Sequence, residues 1–416
     1  MRALFFFITI CCLSSSVFSQ KSRYRFAESY VGLATEVSPQ NQSFAFIQNG
    51  VIQNKELASQ LQPRILIGGT HFWGHADFYL SIPLVSIPLS GNKDATYSNN
   101  VITGFRFYPF KLKSQSLRPF TGLGFNRMSL QLANGPTYGN WQTFTEAGLS
   151  YRTKQHFILG VSAHYFPNTT FQTAIDREQF SETKLNNYTF SLSIKKVMDF
   201  SRSYESENNQ RFFAKLKEEL KQENKLNTYS VGLGLSAYIP LEQSEHASRK
   251  PFFNDEIEGN IGLDMALGYY FHQTDAAIRL SYRRHKQEET AFDYNYSLKK
   301  QSVALEAFKF LFDFHGFVPF VGPFTARDYY HLNEKDVQRT VTNHKEESWA
   351  YGLVFGWDIR LSKTDFFILR TNLRYNPKVD LKQNGLTYTS KSIEFNFIQL
   401  VFYPERWKAY KSLIKN

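Results

Sequence analysis

Apolar and polar side chains alternate along repeated segments of this chain, and each segment is about ten residues long. In the clearest segment, 349–361, Trp349, Phe355 and Leu361 fall on one face, whereas Gly356 and Asp358 fall on the other. A period of two places successive side chains on opposite faces of a β-strand. The pattern therefore predicts an all-β protein.

The length of these segments favours strands that cross a bilayer. They run for roughly 9–13 residues, near the ~9–11 that a tilted transmembrane strand needs and longer than the ~5–6 of most soluble strands. Aromatic residues recur at the segment ends, as in the interfacial girdle of an outer-membrane barrel: Phe72, Trp73, Tyr108, Tyr151, Tyr165, Tyr270, Trp349, Tyr375 and Tyr403.

The connections between segments alternate in length. Short ones are predicted at 73–75, 152–155, 272–274 and 362–364, and long ones at 38–62, 168–184, 241–256 and 377–391. Short periplasmic turns that alternate with long extracellular loops are typical of outer-membrane barrels. A soluble sandwich has no reason to show this asymmetry.

The chain is also a tandem repeat. Pro119-Phe120-Thr121-Gly122 recurs as Pro319-Phe320-Val321-Gly322, and Val31-Gly32-Leu33 recurs at the same offset. Each half contains eight predicted strands, and an even number returns the chain to the side where it began. The strands are predicted near 28–38, 64–73, 76–86, 99–109, 118–131, 141–151, 156–167 and 186–197, then near 228–240, 258–271, 275–285, 296–311, 317–330, 347–361, 365–376 and 391–403.

A charged segment follows each half. Within 201–227, Phe212, Leu216 and Leu220 have helical spacing, and within 404–416, Trp407 and Tyr410 do. Both segments are interpreted as short amphipathic helices on the periplasmic side. The alternatives are a solvated linker and a frayed tail.

The first 19 residues have the pattern of a secretory signal peptide. Arg2 precedes an apolar run at 3–13, and small residues lead to a predicted cleavage between Ser19 and Gln20. Both cysteines of the chain lie in this run, so the mature protein has neither a disulfide framework nor a cysteine zinc site. Export followed by strand insertion predicts the cell outer membrane as the location.

Composition excludes two further classes. The mean hydropathy of −0.39 argues against a bundle of membrane-spanning helices. The aromatic share of 17% argues against disorder, because disordered chains are poor in aromatic residues. The precursor has a net charge of +11, and removal of Arg2 with the signal peptide leaves +10, which suits anionic lipopolysaccharide headgroups. The alternative is that this charge simply keeps the loops soluble.

This architecture resembles the OmpA/OmpX/OmpW-type outer-membrane β-barrels, present here as two eight-stranded copies. The resemblance implies an up-and-down antiparallel barrel and covers nearly the whole mature chain. Such proteins often end on an aromatic residue of the last strand, whereas here a tail follows Phe402 and Tyr403. Two tandem barrels are slightly favoured over one sixteen-stranded barrel, because 201–227 is long for a periplasmic turn.

The predicted organisation has five parts. They are a signal peptide at 1–19, a first barrel repeat at 20–200, a charged helical linker at 201–227, a second barrel repeat at 228–403 and an amphipathic tail at 404–416.

Candidate chemistry is sparse. His71 and His75 flank a turn without metal-ligand spacing, and Gly232 opens a Gly-Leu-Gly that no helix follows. Ser162 and His164 share an inward face, but a catalytic pair also needs an orienting acid. The pairs Arg283-Arg284 and Lys299-Lys300 are placed near predicted loops and are too short to bind nucleic acid. No catalytic, cofactor-binding or metal residue is predicted.

Charged residues on the inferred inward faces are the most informative polar positions. Eight strands enclose a space that side chains fill, and a buried charge without a partner is costly. These residues are expected to form an ion-paired plug, and the alternative is a charge-lined pathway through a wider barrel. They are Arg106, Glu146, Arg152, Arg279, Asp358, Arg360, Arg370, Arg374 and Glu394.

The sequence thus predicts a non-enzymatic outer-membrane protein with a structural or partner-binding role through long loops and periplasmic helices. A sixteen-stranded diffusion pore is the alternative, and a barrel-embedded hydrolase is a distant one. The expected partners are outer-membrane lipid and lipopolysaccharide, the outer-membrane insertion machinery, and an unidentified periplasmic or extracellular protein.

Overall fold

A computed structural model of the chain describes residues 28–40, 42–48, 51–89, 95–111, 113, 115–132, 137–198, 207–241, 252, 262–314, 316–337, 339–360, 362–383 and 386–415. The predicted signal peptide and its cleavage site lie outside these residues. Across the described part of the chain, no helix is both long enough and apolar enough to cross a membrane.

The first half is built from strands joined by short turns on one side and by longer connections on the other. The strands are β1 (Glu28–Ser38), β2 (Ser43–Gln48), β3 (Val51–Glu56), β4 (Gln60–His71), β5 (Ala76–Pro83), β6 (Ile87–Pro88), β7 (Ala95–Asn99), β8 (Ile102–Phe107), β9 (Ser116–Leu132), β10 (Thr137–Arg152), β11 (Phe157–Tyr165), β12 (Thr170–Ala174), β13 (Phe180–Lys184) and β14 (Tyr188–Met198).

Eight of these strands form a closed antiparallel barrel, here named barrel 1. Its order is β1-β4-β5-β8-β9-β10-β11-β14, and β1 closes the ring because it pairs with both β4 and β14. The pairs β2–β3 and β12–β13 are separate hairpins within the long connections.

The second half forms a second closed barrel, barrel 2, in which each strand pairs with the next and β22 pairs with β15. Its strands are β15 (Thr228–Pro240), β16 (Gly262–Phe271), β17 (Ala276–Ala291), β18 (Tyr294–Phe310), β19 (Phe317–Asp336), β20 (Arg339–Ile359), β21 (Phe367–Gln383) and β22 (Leu386–Phe402). The chain therefore has the favoured two eight-stranded barrels, and the sixteen-stranded alternative is wrong. Each half closes on itself, which leaves no unpaired edge for the other half to complete.

Alternation along the strands separates an apolar exterior from a polar interior. On β18, Val303 and Leu305 point outwards and are about half exposed, whereas Ser302, Ala304 and Glu306 point inwards and are buried. On β20, Phe355 is exposed and Gly356 is buried, as predicted. An apolar outer belt around a polar lumen is the organisation of a transmembrane β-barrel.

Several predicted loops are instead strand. The connection predicted at 377–391 is mostly a continuation of β21 and β22, whose ladder runs on to Gln383 and Leu386. Similarly, β19 and β20 extend 20 and 21 residues, about twice what a bilayer crossing needs. The extensions of β19 and β20 leave the apolar belt, so both of their faces carry polar residues and the period-two signal disappears.

The prediction of an interfacial aromatic girdle is only partly correct. Tyr151, Tyr165, Trp349 and Tyr375 are outward and exposed. The exceptions are inward-facing residues that fill the ends of the barrels nearest the short turns, where arginine side chains stack on their rings. They are Tyr108, Tyr270 and Tyr403, whereas Phe72 and Trp73 lie in the short turn after β4 and are partly buried.

Two helices lie on the side of the short turns, as predicted. Helix α1 (Glu207–Gln222) follows barrel 1, and helix α2 (Pro404–Lys415) follows β22 directly. Proline suits the first turn of a helix because its missing N–H would be unpaired there anyway. Leu216 and Leu220 of α1 are buried against Ala409 and Tyr410 of α2. The two helices therefore stabilise one another rather than remaining a solvated linker and a frayed tail.

Aromatic side chains join the outer walls of the two barrels. The ring centroids of Phe78 and Trp357 are 6.2 Å apart, and those of Phe125 and Phe395 are 5.6 Å apart. On the side of the long connections, Arg177 forms an ion pair of 2.7 Å with Asp336. Barrel 1 and barrel 2 thus share a lateral contact.

Candidate functional site

The interiors of the barrels are the charged sites of this protein. All nine charged residues predicted to face inwards are buried, and they are divided between the two barrels. Arg106, Glu146 and Arg152 lie in barrel 1, and the other six lie in barrel 2. Each barrel also holds buried charges that the sequence did not single out.

The network of barrel 1 is centred on Glu146. Arg106 donates two hydrogen bonds to its carboxylate, at 2.9 and 2.8 Å, in the two-pronged geometry that suits a guanidinium and a carboxylate. Tyr79 donates a third at 2.9 Å, and Nε2 of His164 lies 3.2 Å from the carboxylate. Strands β5, β8, β10 and β11 are thus tied together across the lumen.

A second carboxylate, Asp77, adjoins this centre. It accepts hydrogen bonds from the Tyr30 hydroxyl at 2.5 Å and from Lys195 at 3.1 Å. Arg106 lies 3.6 Å from the same carboxylate, so it links Asp77 to Glu146. Since Tyr30 is on β1 and Lys195 is on β14, these bonds also cross the seam where the barrel closes.

Polar contacts continue towards both ends of barrel 1. Towards the long connections, Arg64 donates to the backbone carbonyl of Asn99 at 2.8 Å and lies 3.8 Å from Glu36. At the periplasmic end, Arg152 pairs with Glu28 at 2.6 Å. The lumen is therefore filled along its length, and the plug predicted for a narrow barrel is present.

The network of barrel 2 has Glu306 and Glu394 at its centre. Arg374 bridges the two carboxylates, at 2.5 Å from Glu306 and 3.1 Å from Glu394. Glu306 is also bound by Arg279. Glu394 is bound by Lys300 at 2.8 Å. Positive and negative groups alternate, so each buried charge has an opposite partner.

A layer of apolar side chains closes barrel 2 on the periplasmic side of this network. Arg370 pairs with Asp358 at 2.6 Å and lies over the ring of Phe308. The layer, named the apolar plug, consists of Tyr270, Ala277, Phe308, Phe310, Val318, Phe320, Val354, Ile368, Val401 and Tyr403. Helix α2 covers it, because Arg406 stacks on Tyr270 and Tyr403.

The periplasmic turn after β16 carries a polar cluster outside the membrane-spanning part. Asp275 accepts a hydrogen bond from Tyr270 at 2.6 Å and pairs with Lys363 at 2.7 Å and with Arg360 at 3.1 Å. Burial alone would raise the pKa of Asp275, but these partners hold that pKa below its ordinary value. The cluster ties the turn between β16 and β17 to the turn between β20 and β21, across the end of the barrel.

The two barrels do not repeat the same interior. The strand ladders align the four central charges of barrel 1 with apolar plug positions of barrel 2. The aligned pairs are Asp77 with Ala277, Arg106 with Phe308, Glu146 with Val354, and Lys195 with Val401. The two barrels thus share one backbone arrangement, but the buried charges of barrel 2 lie at a different depth from the central charges of barrel 1.

The predicted positions of two pairs of adjacent basic residues, Arg283-Arg284 and Lys299-Lys300, are wrong. Arg283 and Lys300 were expected near loops, but β17 and β18 continue past them and both side chains are buried in the barrel 2 network. Only Arg284 and Lys299, the other member of each pair, point outwards. One residue of a charged pair on a strand must face each side.

Ser162 and His164 do not contact each other in barrel 1. His164 is bound to Glu146 and to Thr189 at 3.1 Å, and neither contact is with Ser162. Among the described residues, no group of three or more histidine, cysteine or acidic side chains could hold a metal ion.

Comparisons with known proteins find only distant structural matches. No protein-family model and no curated protein matches the chain. Solved structures do match. Neisserial surface protein A is 12% identical with a TM-score of 0.29, and Ail of Yersinia pestis is 12% identical with a TM-score of 0.28; each match covers 42% of this chain and 96% of that protein.

A third match covers most of the chain. The COG4313 outer membrane channel from Pseudomonas putida F1 is 9% identical with a TM-score of 0.22, over 90% of this chain and 95% of that one. Similarity this distant transfers no role. Both closed barrels have an apolar exterior around a polar interior, and this arrangement decides the class of protein. This chain is a tandem pair of outer-membrane-type β-barrels. The predicted architecture is therefore confirmed.

Proposed function

We propose that this protein is a non-enzymatic membrane anchor that binds partners through the elements projecting from its two plugged barrels. The observation that carries the proposal is the filled interior. Barrel 1 is crossed by the Arg106–Glu146 and Lys195–Asp77 pairs, and barrel 2 is closed by a charged network and an apolar plug. A solute pathway would need a lumen free of such pairs.

The projecting elements have the size of binding surfaces. If a crossing uses about ten residues, a similar number in each of β19 and β20 extends beyond the apolar belt. At about 3.3 Å per residue, the projecting hairpin is roughly 30 Å long. Its tip exposes Val337 and Val341, at 66% and 53%. On the opposite side, that of the short turns, α1 and α2 form a packed helical pair.

Planar-bilayer recording tests the plugged interior. The purified full-length protein should insert without producing stable ohmic current steps. The double variant Asp358→Ala and Arg370→Ala removes the ion pair that lies on the apolar plug, and it serves as a sensitised comparison. Large steps from the unmodified protein would refute the plugged-barrel proposal and favour transport.

Cross-linking on intact cells tests partner binding. The full-length protein should cross-link to a distinct partner, and a variant in which 331–345 is replaced by a two-residue turn should lose that product. The shortened protein should keep its heat-modifiable mobility, because the ladder below the cut is intact. An unchanged cross-linking pattern would show that the projecting hairpin is not the binding surface.

A further inference from the structure

Basic side chains are gathered on one part of the outer wall of barrel 2. The ladders place Lys286 opposite Lys299, Lys299 opposite His331, and His331 opposite Lys345. These four residues form one row across β17, β18, β19 and β20. Neighbouring strands are about 4.8 Å apart, so the row spans roughly 15 Å.

Two arginines lie just below this row on the same face. Arg284 is on β17, and Arg327 is on β19 and is 48% exposed. The six residues are here named the basic wall: Arg284, Lys286, Lys299, Arg327, His331 and Lys345.

The basic wall begins where the apolar belt ends. One row below Arg327, Leu280 faces Leu305, and Leu305 faces Thr325. Below this level, the outward residues of β17, β19 and β20 carry no charge, and β18 carries only Lys309 at its periplasmic end. Trp349 and Tyr351, which are 57% and 62% exposed, mark the same boundary on β20. The wall is therefore at the outer surface of the bilayer, on the side of the long connections.

Acidic neighbours neutralise only part of the wall. Glu288 pairs with Lys286 at 2.5 Å, and Glu347 pairs with Arg327. Within the described part of the chain, no ion pair is recorded for Arg284, Lys299 or Lys345. Three cations thus remain for an external anion.

Barrel 1 lacks this feature at its outer edge. The residues that align with Lys299, His331 and Lys345 are Thr96 on β7, Gln131 on β9 and Thr137 on β10. The wall is consequently a property of barrel 2 and not of the repeated scaffold.

From this placement we propose that the basic wall binds the phosphorylated headgroup of lipopolysaccharide in the outer leaflet. The proposal rests on the membrane placement in the proposed function. A cluster of cations at the bilayer surface attracts anionic headgroups, and each added cation strengthens binding about fivefold. Ammonium and guanidinium groups in a row along the lipid boundary match several phosphates held on one lipid.

The test measures binding of fluorescently labelled lipopolysaccharide to the full-length protein in nanodiscs of neutral phosphatidylcholine. The triple variant Arg284→Gln, Lys299→Gln and Lys345→Gln should bind roughly a hundredfold more weakly. The matched control is Lys309→Gln, because Lys309 is exposed on the same face of β18 at its periplasmic end. This control should bind like the unmodified protein.

Two further arms identify the ligand. Dephosphorylated lipopolysaccharide should bind the unmodified protein as weakly as the intact lipid binds the triple variant, and vesicles of phosphatidylglycerol should not compete. Full competition by phosphatidylglycerol, or no effect of dephosphorylation, would overturn the assignment. So would equal losses in the triple variant and in Lys309→Gln.

A result that refutes lipid binding by the basic wall can be told apart from a result that refutes the proposed function. Heat-modifiable mobility of each variant shows that the barrels have inserted and folded. A folded triple variant with unchanged affinity would overturn the lipid site alone, whereas a protein that never enters lipid would overturn the membrane placement itself.

Discussion

Glu306 offers the sharpest test of the ion-paired interior. Its carboxylate is fully buried in barrel 2 and is bound by Arg279 and by Arg374, the latter at 2.5 Å. Glu306→Gln keeps nearly the same shape but removes the negative charge, so two guanidinium groups would face each other without it. Breaking a buried pair in this way costs about 3–5 kcal/mol.

Glu347 provides the matched control. It also pairs with an arginine, Arg327, but both side chains are about half exposed. Loss of an exposed pair costs only ~0–1 kcal/mol. Glu347→Gln should therefore leave the free energy of unfolding almost unchanged, although it removes the same charge from the same barrel.

Urea titration of the refolded protein in lipid vesicles measures the difference. Tryptophan fluorescence and the heat-modifiable gel band should both report a lower unfolding midpoint for Glu306→Gln than for Glu347→Gln. Adding Arg279→Gln to Glu306→Gln should recover part of the loss, because one unpaired cation is then gone. Equal midpoints for the two single variants would refute the reasoning.

Three other predictions address the exterior, the modular design and the periplasmic helices. Phe355→Arg should destabilise barrel 2 by ~2–4 kcal/mol in vesicle unfolding, whereas Trp349→Arg at the outer boundary should cost ~0–1 kcal/mol; equal costs would contradict the depth of these residues. The fragments 20–200 and 226–416, each with a signal peptide, should insert alone and be heat-modifiable, since each contains a closed barrel; aggregation of both would contradict this. Leu220→Ala, which empties a fully buried site, should speed proteolysis at the helices while the barrels resist, and unchanged cleavage would show that the packing is unimportant.

The strand face on which a charged residue lies could be predicted from the sequence, but its ion-pair partner could not. Period-two alternation placed Arg370 and Glu394 inside because the opposite face is apolar. It could not show that Arg370 meets Asp358 while Glu394 meets Lys300, since pairing depends on the register between strands. Register follows from closure of the whole ring.

Glu306 was missed for a related reason. On β18, the inward face carries Phe308 and Phe310, whereas Lys309 points outwards near the periplasm. The apolar plug thus reverses the usual polarity at that end of the strand. The hairpin extensions were missed because they leave the lipid, where no contrast between faces is required.

The redistributed interior has a consequence for how the chain assembles. A protein that contains the same fold twice risks trading strands between copies as it inserts. If β8 entered barrel 2 in place of β18, Arg106 would lie among the apolar residues that normally surround Phe308, and a charge without a partner there would be heavily penalised. The different interiors therefore favour pairing of each strand within its own barrel. They disfavour its incorporation into the other barrel.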